Sequence, residues 1–213
     1  MTTIRYTLLS DGSSDRMLLP ILDWLLHQHC PEHAVQSEWA DLGRLPQPPK
    51  VLPERIKKAL ELCSSCDLLF IHRDAEKEYY ETRHAQIINA LDGLETPPAI
   101  CVIPVRMLEA WLLFDELAIR KAAGKPNGRI SLDIPSLDSV ERLLNPKQVL
   151  FDLIGKSSES TGTRLKKLKT KMHRVAHLVS QKIEDFSPLR NIQAFKNLES
   201  ELLTVIQQQG WNL

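Results

Sequence analysis

Three short stretches place acids directly after an apolar run. Asp11-Gly12-Ser13-Ser14-Asp15 follows residues 4–9, Asp74-Ala75-Glu76 follows residues 67–72, and Glu109 follows residues 99–103 across Pro104-Val105-Arg106. Carboxylates gathered at one place repel one another unless a hard cation neutralises them, and Mg²⁺ or Mn²⁺ favours such oxygen ligands while keeping several waters. On a phosphate ester that cation would polarise a non-bridging oxygen, activate water and stabilise the leaving oxygen. The expected metal ligands are Asp11, Asp74 and Glu76. Asp11 or Glu109 is expected to orient or deprotonate water, with Asp15 beside them, and Lys77 to neutralise charge developing on the phosphorus.

These residues need a frame that brings them together. Residues 4–9 are β-rich and apolar apart from Arg5, and the Ser-Asp-Gly-Ser-Ser turn ends them. From Ser14 or Asp15, Met17, Leu18, Ile21, Leu22, Leu25 and Leu26 follow helical spacing, with Ser14 as N-cap and Asp15 in the first turn. Residues 34–40 alternate as a short strand near a sheet edge, and the prolines between 46 and 49 make 41–52 a surface loop. A helix is expected over 53–62. The run Asp67-Leu-Leu-Phe-Ile-His72 reads as a central parallel strand buried on both faces. A helix over 77–91, a strand over 99–103 and one helix over 107–123 follow, Glu109 opening that last helix and Asp115 standing more than a turn beyond. Further helices are expected from a capping box at Asp138-Ser-Val-Glu141, from Asn145-Pro146 and from Ser187-Pro188. The pattern implies an α/β fold: a Rossmann-like, mainly parallel four-stranded sheet flanked by helices over 1–123, with a helical extension over 124–213 packed on it as one compact unit. In open α/β sheets ligands collect at the carboxyl ends of the strands, where all three acidic stretches fall.

Lys plus Arg and Asp plus Glu number 27 each. No overall basic field points to nucleic acid, so any such contact needs a local patch. Residues 163–183 supply one, with Arg164, Lys166, Lys167, Lys169, Lys171 and Arg174 and no acid among them. A CxxC pair at Cys63 and Cys66 could bind zinc if His27, His29, Cys30 or His33 completed it. No leader-like segment and no long apolar window occur, so a cytoplasmic protein without a membrane partner is expected.

Over residues 4–115 the chain resembles the TOPRIM family, in particular TOPRIM-like proteins related to overcoming-lysogenization-defect nucleases. The resemblance rests on Asp11-Gly12 with Asp15 following, on Asp74-Ala75-Glu76, and on Arg106-Met-Leu-Glu-Ala-Trp-Leu-Leu-Phe-Asp115, which is similar to a motif of small bacterial TOPRIM-like proteins. It implies Mg²⁺-dependent phosphoryl transfer on DNA or RNA, and a role in anti-phage defence beside an ATPase partner. Two positions depart from the family pattern: Asp11 stands where Glu is usual and is one methylene shorter, and Glu76 stands where Asp is usual. A catalytically degenerate module that binds nucleic acid or a partner ATPase is therefore the alternative. The D-x-S-x-S metal loop of von Willebrand A-type domains is also approached at Asp11 to Asp15, but it leaves Asp74, Glu76 and Glu109 unexplained. No P-loop glycine-lysine signature is present.

Overall fold

The computed structural model describes residues 2–63 and 65–212. Four strands, β1 (Thr3–Leu9), β2 (Ala34–Trp39), β3 (Leu68–His72) and β4 (Ala99–Val102), form one sheet in the order β2-β1-β3-β4, and every pair is parallel. This is the expected α/β architecture. β3 is buried at all five residues, as its unbroken apolar run demands, and β2 occupies an edge. From β1 the chain moves outward to β2 and returns to the other side for β3. The strand order reverses there, and a crevice opens between the carboxyl ends of β1 and β3.

The pleat sorts side chains to two faces. Ile4, Tyr6, Leu8, Leu68, Phe70, Ile100 and Val102 meet helix α1 (Leu19–His29), whose Ile21, Leu22, Leu25 and Leu26 are fully buried. On the other face Leu9, Leu69, Ile71 and Cys101 pack on α2 (Leu52–Leu62) and α3 (Tyr80–Leu91). After β4 come α4 (Glu116–Ala122), α5 (Leu137–Val140), α6 (Pro146–Ser157), α7 (Gly162–Lys169), α8 (Met172–Lys182) and α9 (Gln193–Gln209). Their buried residues, among them Leu150, Ile154, Val179, Phe195 and Leu202, join the α1 face in one continuous core. Among the described residues no helix is long and apolar enough to cross a membrane.

Several boundaries differ from the sequence expectation, each for a local reason. The helix expected from Ser14 or Asp15 begins as a 3₁₀ turn, Ser13–Leu18, and becomes α-helical at Leu19. Pro20 has no N–H for the fourth carbonyl before it, so it belongs in a first turn. Ser14 is not the N-cap: Gly12 is, and the Asp15 carboxylate accepts the Gly12 N–H at 2.8 Å. The helix expected over 107–123 is two pieces, a 3₁₀ segment Leu108–Leu112 and α4, because Asp115 caps α4 by accepting the Ala118 N–H at 2.8 Å. The helix expected over 77–91 starts only at Tyr80, so Lys77 lies in a turn. The basic run over 163–183 is two helices, broken at Thr170 and Lys171. Glu141 does not close a capping box with Asp138; it accepts the Ala194 N–H at 3.1 Å and caps the start of α9. The last helix likewise opens as a 3₁₀ turn, Ser187–Asn191, before α9.

Candidate active site

The crevice at the carboxyl ends of β1 and β3 is a cleft of about 440 Å³ lined by Asp11, Gly12, Ser14, Asp15, His72, Arg73, Asp74, Glu76, Arg83 and Lys147. His72, the last residue of β3, is 2 % exposed. Its Nδ1 faces the Val102 carbonyl at 3.0 Å, which only accepts, so the proton is on Nδ1. Nε2 is thereby turned toward Asp74 Oδ1 at 3.6 Å and Asp15 Oδ2 at 3.9 Å.

The backbone fixes each acid. Asp15 accepts from the Gly12 N–H and, at 3.1 Å, from the Ser14 hydroxyl. Asp74 Oδ1 accepts the Leu108 N–H at 2.9 Å, which ties the end of β3 to the 3₁₀ segment carrying Glu109. Burial pushes the Asp74 carboxyl up to about 6, and the negative charges of Glu109 and Asp15 push the same way against the opposing pull of His72. Asp15, Asp74 and Glu109 thus form one electrostatic cluster. Glu109 is buried and paired with Lys147 Nζ at 3.1 Å. Lys147 comes from the first turn of α6, so the helical extension contributes directly to the cleft.

Asp11 lies in the same cleft but faces cations: Arg55 Nη1 binds one oxygen, and Arg73 Nε approaches the other at 3.4 Å. Glu76 lines the mouth, exposed, with φ of 55°; its N–H donates to the carbonyl of Arg106, itself at φ 66°. Two non-glycine residues in the left-handed region, bonded to each other at the rim of one cleft, are local strain held by the surrounding fold. Lys77 is exposed and is not among the residues lining the cleft, where Arg73, Arg83 and Lys147 supply the cations. Arg83 is 8 % exposed, and its Nε has no hydrogen-bond partner among the described residues.

A second cleft, of about 560 Å³, adjoins the first at Ser14, which lines both. Arg16, Arg44, Arg174, His173, His177 and Trp39 line it together with Asp41, which pairs with Arg44 at 2.7 Å, and the Arg16 guanidinium stands 5.3 Å from the centre of the Trp39 ring. Of the six cations expected to meet nucleic acid, Arg174 reaches this cleft, and Lys169 lines a further cavity among α6, α7 and α8 that shares His173 with it. Arg164, Lys166, Lys167 and Lys171 line neither; all six are exposed, and none forms an ion pair among the described residues.

The zinc alternative has no geometry behind it. Cys30 belongs to the core on one face of the sheet and Cys63 to the core on the other, and His29 is committed to Glu199 at 2.7 Å. The residues the sequence reading passed over are His72, Arg55, Arg73, Arg83 and Lys147 in the acidic cleft, and Arg16, Arg44 and Trp39 in the basic one. His72 alone had a local signal, as a polar side chain closing a buried strand beside the acids.

The Glu109–Lys147 pair gives a first expected result. Replacing Lys147 by Met leaves a buried carboxylate without its partner and should lower stability at pH 7 by about 1–3 kcal/mol. Urea titrations at pH 7 measure the deficit. An unchanged midpoint at pH 7 would show that the pair is dispensable.

Compared with models of known protein families, with curated proteins and with solved structures, the chain matches none of them.

Proposed function

We propose that this chain is a divalent-cation-dependent nuclease of TOPRIM-like type, hydrolysing nucleic-acid phosphodiesters as an effector of anti-phage defence. The observation that carries the reading is the pair Asp15 and Asp74, both facing His72 Nε2 at the strand ends, with the charge of Glu109 also acting on Asp74. The donor chemistry fits Mg²⁺ or Mn²⁺: burial holds a proton on Asp74 up to about pH 6, the charges of Glu109 and Asp15 add to that effect, and a hard cation would relieve it. Asp15 and Asp74 would hold it, with Glu109 behind them, and Asp11 and Glu76 reach the same cleft from more exposed positions. When bound, the cation supplies Lewis-acid polarisation of the phosphate and a water of lowered pKa.

The chain's own residues do the rest. His72 Nε2 is placed to accept a proton inside the cleft, with its ring fixed through Nδ1. Arg83 and Lys147 offer positive charge to a phosphate there. The adjoining cleft of Arg16, Arg44 and Arg174 can follow a phosphodiester backbone away from the reacting group, and the ring of Trp39 lies along it.

Incubation with plasmid, single-stranded DNA and tRNA, with and without Mg²⁺ or Mn²⁺, tests the reading; metal-dependent nicking is expected. Arg174→Ala should weaken nucleic-acid binding evenly across sequences and reduce the slope of log affinity against log salt by about 1. Absence of any metal-dependent product on all three substrates would overturn the nuclease reading. The second reading, a binding module without cleavage that recruits nucleic acid or an ATPase, has one observation in its favour: Arg55 and Arg73 already occupy the carboxylate of Asp11. Salt-sensitive nucleic-acid binding without cleavage would select it.

A further inference from the structure

A second group of metal-ligating side chains lies away from the acidic cleft, at the β4 edge of the sheet. His84 of α3, Cys101 of β4 and Glu201 of α9 present ligand atoms that all lie within 4.8 Å of one another. None of the three lines the cleft of Asp15 and Asp74. Cys101 is 2 % exposed, whereas His84 and Glu201 are partly open to solvent, so the thiol forms the floor and the other two the mouth.

We propose that His84, Cys101 and Glu201 bind Zn²⁺. One imidazole nitrogen, one sulfur and one carboxylate oxygen are a ligand set that suits zinc and ill suits Mg²⁺. The one separation between His84 and Glu201 fits. Glu201 Oε1 stands 3.2 Å from His84 Nε2, and with bonds of about 2.0–2.1 Å the edge of a zinc tetrahedron is about 3.3 Å. The surroundings hold the ligands in place as supporting contacts do at zinc sites. Glu201 Oε2 accepts the Cys101 N–H at 2.9 Å, which leaves Oε1 facing the site, and the Tyr80 hydroxyl donates to Oε1 at 3.2 Å. The Tyr80 ring stacks on the His84 ring with centroids 5.8 Å apart. A metal there would join α3, the edge strand and α9, pinning the last helix to the sheet, with a fourth position open on the solvent side.

Binding forms a Zn–S bond and releases the Cys101 thiol proton to solvent. Burial and then the charge of Glu201 hold that thiol well above its ordinary value without metal.

The test uses the full chain carrying Cys63→Ser and Cys66→Ser, which removes the more accessible thiols. Zinc is titrated in competition with a chromophoric chelator, and Co²⁺ is added separately for spectroscopy. The expected result is one tight equivalent per chain, an intense tetrahedral Co²⁺ spectrum and a thiolate-to-cobalt band in the near ultraviolet. His84→Ala and Glu201→Gln should each weaken binding at least tenfold, Cys101→Ser should abolish the near-ultraviolet band, and Asp74→Ala should leave all of this unchanged. Failure of the folded parent to bind zinc, or an undiminished spectrum in folded His84→Ala, would overturn the proposal and leave a hydrogen-bonded cover for the β4 edge. Should a variant fail to fold, the parent still decides: cobalt bound without a thiolate band excludes Cys101.

Discussion

Asp74→Asn should eliminate metal-dependent cleavage while making the metal-free protein more stable above pH 6. The first effect follows from position. Asp74 accepts the Leu108 N–H, faces His72 Nε2 at 3.6 Å and shares its charge with Asp15 and Glu109. Loss of one charged ligand from a cation worth several kcal/mol of transition-state stabilisation lowers the rate on the order of 10³-fold or more. The second effect follows from the sign of the pKa shift. Asp74 ionises near 3.8 in the unfolded chain and near 6 in the folded one. Between those values the native state keeps a proton that the unfolded state has released, so ionisation costs native stability as the pH rises, by up to about 3 kcal/mol above pH 6. Asn accepts the Leu108 N–H equally well and carries no charge. Without divalent cations the variant should therefore melt above the wild type at pH 8, and the gap should close toward pH 4. Added Mg²⁺ should raise the wild-type melting temperature at pH 8 and leave that of the variant unmoved. A variant no more stable than the wild type at pH 8 would show that the fold does not hold the Asp74 carboxyl above its ordinary range; a variant that still cleaves would remove Asp74 from the active site.

The sheet was legible because its strands carry the strongest local signal. The run 68–71 is apolar and short and closes at His72 before a turn, and that alone places it centrally. The acids after β1, β3 and β4 could be assigned to one sheet edge because parallel strands put all their carboxyl ends together. Side-chain direction was not legible. Asp11 and Asp15 read alike in sequence, yet one faces arginines from α2 and from the end of β3, while the other folds back on Gly12 and faces His72. Arg55 is 44 residues from Asp11 and Lys147 is 38 residues from Glu109, so no local pattern could join them. The basic cleft was missed for the same reason: Arg16, Arg44 and Arg174 come from three separate segments, whereas the run at 163–183 was conspicuous only because its cations are contiguous. Helix boundaries were misjudged where a side chain intervened, as Asp115 does in capping α4, since apolar spacing carries across a 3₁₀ turn with little change.

Trp111→Ala should cost about 3–5 kcal/mol of global stability, the largest loss expected from any single side chain discussed. Trp111 is fully buried and meets Phe195 of α9 edge to face with centroids 5.5 Å apart. It sits in the same 3₁₀ segment as Glu109, which also packs on α6, so this ring fastens the segment bearing a site carboxylate to the helical extension. Because the residues around it form one continuous core across the sheet face and the later helices, urea unfolding should remain a single transition moved to lower denaturant, with no separate loss of the extension. The indole N–H has no hydrogen-bond partner among the described residues, so removing it strands no acceptor. Trp111→Phe loses ring volume but keeps an edge-to-face pair and relieves that buried donor, two terms of opposite sign of about 1–3 kcal/mol each. It should therefore fall close to the wild type in stability and retain cleavage, while Trp111→Ala loses cleavage even below its unfolding midpoint as Glu109 is released. Equal losses in the two variants would mean that a phenyl ring keeps none of the packing the indole makes; two resolved transitions in Trp111→Ala would mean that the extension holds together without the sheet.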